Sequence, residues 1–185
     1  ELGKKLRLLR FHGIERDAWK RYGYGKGGNP EYDVIAPGFK YNLTDMQAAL
    51  GLAQLSRLNE LNRRRKEIAE IYMQELKDSG GLELPGSPLY EHCHAWHLFV
   101  IKVLAMERPL FMEKLAEYNV GYGLHFPACH LLTYIKRRFK QEKNSLPVTE
   151  RIAERILSLP MFPDMKNEDV YYVCEAVKEI IARHG

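Results

Sequence analysis

The chain has 185 residues, of which 45% are apolar and 28% charged, with a formal net charge of +4. That length supports one full core, or one domain and part of another. The modest charge does not by itself indicate nucleic acid, and no apolar run approaches the ~18 residues of a membrane span.

In chain order, residues 2–11 read as the end of an amphipathic helix. Leu2, Leu6 and Leu9 share one face, lysines and arginines lie opposite, and His12-Gly13 terminates it. Residues 13–38 form a loop rich in glycine and aromatic side chains. A long helical pattern follows over 45–77. Its apolar positions are Met46, Ala49, Leu50, Ala53, Leu58, Leu61, Ile68, Ile71, Tyr72 and Leu76, and Ser79-Gly80-Gly81 stops it. Residues 82–84 and 97–103 are strand-like. Pro109 opens a helix to about Tyr118, and 120–126 reads as a further strand. Helices are expected over 131–140 and 149–156, with an extended piece at 157–159. Asn167 is the expected cap of a last helix over 168–182, whose Val170, Val173, Ala176, Val177, Ile180 and Ile181 face inward. Strands alternating with helices, some of the strands antiparallel, predict an α/β-sandwich domain over 80–185, preceded by loop and connecting helix over 1–79.

The junction Phe39-Lys40-Tyr41-Asn42-Leu43-Thr44-Asp45-Met46-Gln47-Ala48-Ala49-Leu50-Gly51 carries the most information. Thr44 and Gln47 have the spacing of a capping box, and Asp45 complements the helix dipole. The helix start is therefore fixed, and Asn42 is held just upstream of it. On spacing alone this is a well-capped surface helix, with Asn42 in a local Asx turn.

The exact residues point further. This run closely resembles the corresponding segment of the DegT/StrS family of sugar aminotransferases, which use pyridoxal phosphate. Leu8-Leu9-Arg10-Phe11-His12-Gly13, Ala48-Ala49-Leu50-Gly51-Leu52-Ala53-Gln54-Leu55, His94-Ala95-Trp96-His97-Leu98-Phe99, Gly123-Leu124-His125-Phe126 and Leu157-Ser158-Leu159-Pro160-Met161-Phe162-Pro163 extend the likeness in the family's order. Asp17-Ala18-Trp19, Ala36-Pro37-Gly38 and Pro163-Asp164-Met165 resemble the enzymes of the 4-amino-4-deoxy-L-arabinose branch of lipid A modification.

The resemblance implies the C-terminal part of a fold-type I, aspartate aminotransferase-like enzyme, with a small α/β domain and a long connecting helix. The complete protein is expected to transfer an amino group from glutamate to a nucleotide-linked 4-keto sugar in polysaccharide or lipopolysaccharide biosynthesis. The family's Schiff-base lysine, the carboxylate facing the pyridine nitrogen and the residue stacked on the ring lie upstream of the segment matched here. No catalytic residue is therefore expected within these residues, and the chain alone is expected to be inactive and not to hold pyridoxal 5'-phosphate. The opening residue, Glu1, fits a portion of something longer. By the same resemblance Asn42 contacts the cofactor phosphate in the partner subunit's site, and a homodimer with shared sites follows. His125, Tyr41, Trp19 and Tyr32 are the expected substrate-binding residues, with Trp19, Tyr22, Tyr24 and Tyr32 near the substrate entrance. The rival expectation is a non-catalytic, aminotransferase-derived binding or regulatory module.

Other motifs weigh less. Gly23-Tyr24-Gly25-Lys26-Gly27-Gly28 matches G-x-G-x-x-G formally, but no strand precedes it and Asn29-Pro30 forbids an immediate helix. Gly121 and Gly123 thin one face of the 120–126 segment, and His125 shares their parity, so its imidazole points to the thinned face. His92, Cys93, His94, His97, Cys129 and His130 lack the paired spacing of a zinc site, although His92 and His94 would share a strand face; no metal is expected. Arg63-Arg64-Arg65-Lys66 wraps around its helix with Glu60, Glu67 and Glu70 in pairing positions, and Lys136-Arg137-Arg138-Phe139-Lys140 is a second basic face. Both are expected to be solvated surfaces, with neither nucleic acid nor membrane as a partner. Cys93, Cys129 and Cys174 are odd in number and widely spaced, as in a reducing cytoplasm.

Overall fold

The computed structural model describes residues 1–15 and 33–185. These residues divide into two units, Glu1–Ser56 and Arg57–Gly185. The boundary falls inside the long helix, whereas the sequence boundary at 79/80 follows that helix's end.

In the first unit, helix α1 (Leu2–Leu9) ends where His12 and Gly13 both take positive φ, 60° and 69°. Strands β1 (Ile14–Glu15) and β2 (Asp33–Val34) then pair antiparallel, Ile14 opposite Val34. Two glycines make this meeting of chains possible. A Cβ at Gly13 would lie 1.7 Å from the Ala36 carbonyl oxygen, and one at Gly38 would lie 2.0 Å from the Gly13 nitrogen. Side chains contribute little here: among the described residues of this unit no apolar side chain is buried. Backbone hydrogen bonds hold the segment instead.

The long helix α2 (Asp45–Leu76) spans both units, one residue short of the expected end. Its apolar positions divide. Ile68, Ala69, Tyr72 and Leu76 are buried, whereas Met46, Leu50 and Leu58 are exposed. Among the described residues, its apolar positions are thus buried only in the second half.

The second unit contains an antiparallel sheet in the order β3 (Leu82–Glu83), β4 (Phe99–Val103), β5 (Ile156–Leu159). Phe99 faces Leu159 and Ile101 faces Leu157. Alternation puts Phe99, Ile101, Val103, Leu157 and Leu159 on one face, against Tyr72 of α2, Phe111 and Leu115 of α3 (Arg108–Glu117), and Val170, Val173, Val177 and Ile180 of α6 (Asn167–His184). Each large side chain so removed from water is worth about 1.5–3 kcal/mol. Tyr72 is the largest fully buried side chain among the described residues: its ring is 4.8 Å from that of Phe99, and its hydroxyl donates to the Pro160 carbonyl at 2.8 Å. Val100 and Ser158, paired across β4 and β5, lie on the opposite face. A 3-10 turn (Cys129–Leu131), α4 (Thr133–Phe139) and α5 (Pro147–Arg155) fill the crossover between these strands.

Four expectations are corrected. Residues 120–126 form no strand; only Gly123 makes a bridge, to Ser158, because two glycines and the following Pro127 leave too little to sustain a ladder. The helix expected over 131–140 is broken at Leu132, which takes an extended conformation. The cap of α6 is Lys166, whose N–H donates to the Asp169 carboxylate at 3.3 Å. Asn167 is instead the first helical residue, and its side-chain oxygen accepts from Arg64 at 2.8 Å. His92 and His94 lie in a loop, not on a strand.

Candidate functional site

The junction before α2 is fixed from both sides. Upstream, the Phe39 N–H donates to the Leu9 carbonyl at 2.7 Å, the His12 N–H to the Phe39 carbonyl at 2.9 Å, and the Tyr41 N–H to the Arg10 carbonyl at 2.9 Å. Downstream, the capping box is formed. The Thr44 N–H donates to the Gln47 side-chain oxygen at 3.0 Å, and the Gln47 N–H to the Thr44 hydroxyl at 3.3 Å. Asn42 stands between these anchors. It is exposed, and its amide makes no hydrogen bond among the described residues, so the Asx-turn alternative is not formed. Tyr41 is also exposed and stacks on Phe39, with ring centres 5.2 Å apart and planes 8° from parallel. The Lys40 ammonium lies 4.9 Å above the Phe11 ring. Trp19, Tyr22, Tyr24, Tyr32 and the glycine run at 23–28 lie outside the described residues.

In the second unit His125 is half-buried, and its Nδ1 lies 2.9 Å from the Ser158 hydroxyl. Its ring folds back over Gly123, where a Cβ would approach Cε1 to 2.3 Å. Gly123 and Ser158 exchange two backbone hydrogen bonds, of 3.0 and 2.8 Å. The shared side of Gly123 and His125, expected from parity, is therefore present without the strand that suggested it. Ser158 was not among the expected site residues. The signal for it lay in Leu157-Ser158-Leu159, where alternation directs the serine away from the face that buries both leucines.

A second polar pair lies nearby in sequence. His130 and Glu150, 8% and 6% exposed, meet at 3.0 Å. The Glu150 carboxylate also accepts the N–H groups of Asn144 at 2.9 Å and Leu146 at 3.2 Å. The Asn144 N–H and then the His130 side chain hold its carboxyl below the usual carboxylate range. The pair pins the loop before α5, and His130 borders an apolar cavity of about 750 Å³ lined by Phe126, Ile135, Phe139, Leu146 and Ile152.

His94 orders Trp96 against the core. The Trp96 N–H donates to His94 Nδ1 at 2.8 Å, the two rings lie 4.2 Å apart, and Trp96 in turn packs 5.8 Å from Phe99. Among the described residues no group of three His, Cys, Asp or Glu side chains converges to hold a metal ion. The basic run on α2 is largely paired. Arg63 and Arg64 reach Glu67 at 3.5 and 3.2 Å, Lys66 reaches Glu70 at 3.7 Å, and Arg64 also caps the Met165 carbonyl at 2.6 Å. Among the described residues no helix is long and apolar enough to cross a membrane.

Residues 1–178 match the model of the DegT/DnrJ/EryC1/StrS aminotransferase family. The chain belongs to that family. Solved relatives agree. The PMP form of Spr1654 from Streptococcus pneumoniae is 26% identical with a TM-score of 0.81, over 100% of this chain and 46% of that one. The aminotransferase TlmJ from Streptoalloteichus hindustanus is 29% identical with a TM-score of 0.75, over 98% of this chain and 45% of that one. The sugar aminotransferase CalS13 from Micromonospora echinospora is 28% identical with a TM-score of 0.76, over 96% and 44%. The chain thus spans less than half the length of these relatives. Its α/β architecture is that of the C-terminal portion of a fold-type I pyridoxal-phosphate transferase. Spr1654 has also been solved in a PLP form.

Proposed function

We propose that this DegT/StrS-family chain forms part of a pyridoxal-phosphate-dependent enzyme that moves an amino group from glutamate to a nucleotide-linked 4-keto sugar. The narrower reading is the 4-amino-4-deoxy-L-arabinose branch of lipid A modification. The observation that carries the proposal is the Asn42 amide, without a hydrogen-bond partner among the described residues and held between the Phe39–Leu9 backbone bond and the Thr44–Gln47 capping box, within a family match over residues 1–178.

The donor set fits one edge of pyridoxal phosphate. An exposed amide donates to a phosphate oxygen without adding charge, and its fixed backbone lowers the cost of ordering it. Asn42 would make that contact in the partner subunit's site of a symmetric dimer. Bound there, the cofactor supplies the electron sink that amino transfer needs. Tyr41, already stacked on Phe39, offers a flat wall to a sugar or base, and His125 offers an imidazole to a substrate oxygen. On this reading the 185 residues alone give no turnover.

The test uses the intact gene product with pyridoxal phosphate, glutamate and 4-keto sugars on uridine or thymidine diphosphate. Release of 2-oxoglutarate only when a keto sugar is present is the expected result. No release with any of them, from a folded dimer that takes up the cofactor, would reject the sugar-aminotransferase reading. Asn42→Ala is expected to weaken cofactor retention on dialysis about tenfold, the value of one good hydrogen bond to an ionised group.

A further inference from the structure

Ser158 is 3% exposed, on the sheet face turned away from the helical core. Its hydroxyl makes one hydrogen bond among the described residues, to His125 Nδ1. A buried hydroxyl needs an acceptor for its proton, and leaving a buried donor unmade costs more than the bond itself returns. Nδ1 is the acceptor at hand. In the neutral ring Nδ1 therefore carries no hydrogen, and the proton sits on Nε2. Nε2 has no partner among the described residues and is not a buried orphan, so it is left as an open donor. Gly123 completes the arrangement. Its missing side chain is the space that the ring occupies, and its two backbone bonds to Ser158 fix the floor beneath the ring to the strand that carries the hydroxyl.

We propose that Ser158 is a positioning residue: with Gly123 as the seat, it holds the His125 imidazole in the Nε2–H form, so that this nitrogen donates to an oxygen acceptor of the nucleotide sugar. The proposal rests on the functional reading above for the identity of the ligand, and on this chain's own geometry for the tautomer. The acceptor is a diphosphate oxygen or a sugar hydroxyl. Both present lone pairs to an N–H, and the ionised diphosphate oxygen has no hydrogen to give to a bare nitrogen.

The tautomer is tested without substrate, by nitrogen-15 NMR of imidazole-labelled intact protein at mildly alkaline pH. The His125 signals are assigned by their loss in His125→Ala. The expected spectrum has a bare Nδ1 and a protonated Nε2, and Ser158→Ala converts it to a mixture of the two forms. A bare Nε2 in the wild type, or an unchanged tautomer in the variant, would overturn the role of Ser158. Binding is tested by titrating uridine diphosphate and uridine diphosphoglucose into wild type, Ser158→Ala, His125→Ala and the double variant. Ser158→Ala is expected to weaken binding about tenfold in the wild-type background and to have no effect once His125 is gone. An equal loss in both backgrounds means that Ser158 merely supports the fold, and overturns the proposal. Weakening with uridine diphosphate alone assigns the acceptor to the diphosphate, and weakening only with the sugar attached assigns it to the sugar. His125→Ala without effect on either ligand, together with the expected tautomer, overturns the substrate contact, while leaving the Ser158–His125 geometry and the sugar-aminotransferase reading, which 2-oxoglutarate release tests separately, standing.

Discussion

Asn42, Glu150 and Cys174 show how differently single residues declare themselves. Asn42 is named by its neighbours in sequence, since nothing in an isolated asparagine separates a ligand contact from a turn. Glu150 is silent in the sequence, being one acidic residue in a polar helix start, and only the fold brings it to His130 and to two backbone donors. Because its folded carboxyl titrates below its unfolded value, it stabilises the protein above the ordinary carboxylate range. That contribution is lost as pH falls through the depressed folded value. Thermal unfolding against pH should therefore show an acid limb that is shallower in Glu150→Gln, and identical limbs would discount the pair. Cys174 is buried in α6 and burial pushes its thiol up to about 12, whereas Cys93 and Cys129 are exposed. Iodoacetamide at neutral pH should label Cys93 and Cys129 in the native protein and reach Cys174 only after denaturation, read by peptide mass spectrometry.

At the scale of the element, periodicity located most of the regular structure but not which of it would be buried. The pattern for α2 was nearly right in length, and its capping box was legible to the residue because it depends on a local spacing of three. Thr44→Ala should destabilise the helix start by about 1 kcal/mol, a roughly fivefold faster amide exchange over residues 45–48 with little change further along α2. The residues expected to form strand 120–126 failed because a strand is made by its partners. Glycines at 121 and 123 bring no side chains to pack, and only Gly123 finds a backbone partner on β5. The cap of α6 was misplaced by one residue, since Asn167 has a tertiary partner in Arg64 that outweighs its local preference. In the centre of the sheet the forecast was easier. Phe99 lies in an alternating run, is fully buried and touches Tyr72, so Phe99→Ala should cost about 3–5 kcal/mol in denaturant unfolding of the whole second unit.

For the whole molecule, the first half of α2 displays Met46 and Leu50, one helical turn apart on one face and 83% and 64% exposed, a few residues after Asn42. A symmetric dimer with shared sites makes a specific forecast. Asn42→Ala subunits mixed with subunits lacking the Schiff-base lysine should show more activity at limiting pyridoxal phosphate than either gives alone, because each mixed dimer reunites one intact lysine with one intact Asn42. No gain after subunit exchange would place Asn42 in its own subunit's site. Residue identities and short spacings were enough for the family, the alternating α/β order, the long helix and its capped start. These depend on residue identity and on spacings of a few positions, which survive without knowledge of the fold. Long-range folding alone brings Ser158 to His125 and Glu150 to His130, and buries the second half of α2 while side chains of the first stay exposed. Those outcomes turn on residues 33, 20 and more positions apart, where the chain's own return path chooses the partner and no local preference can.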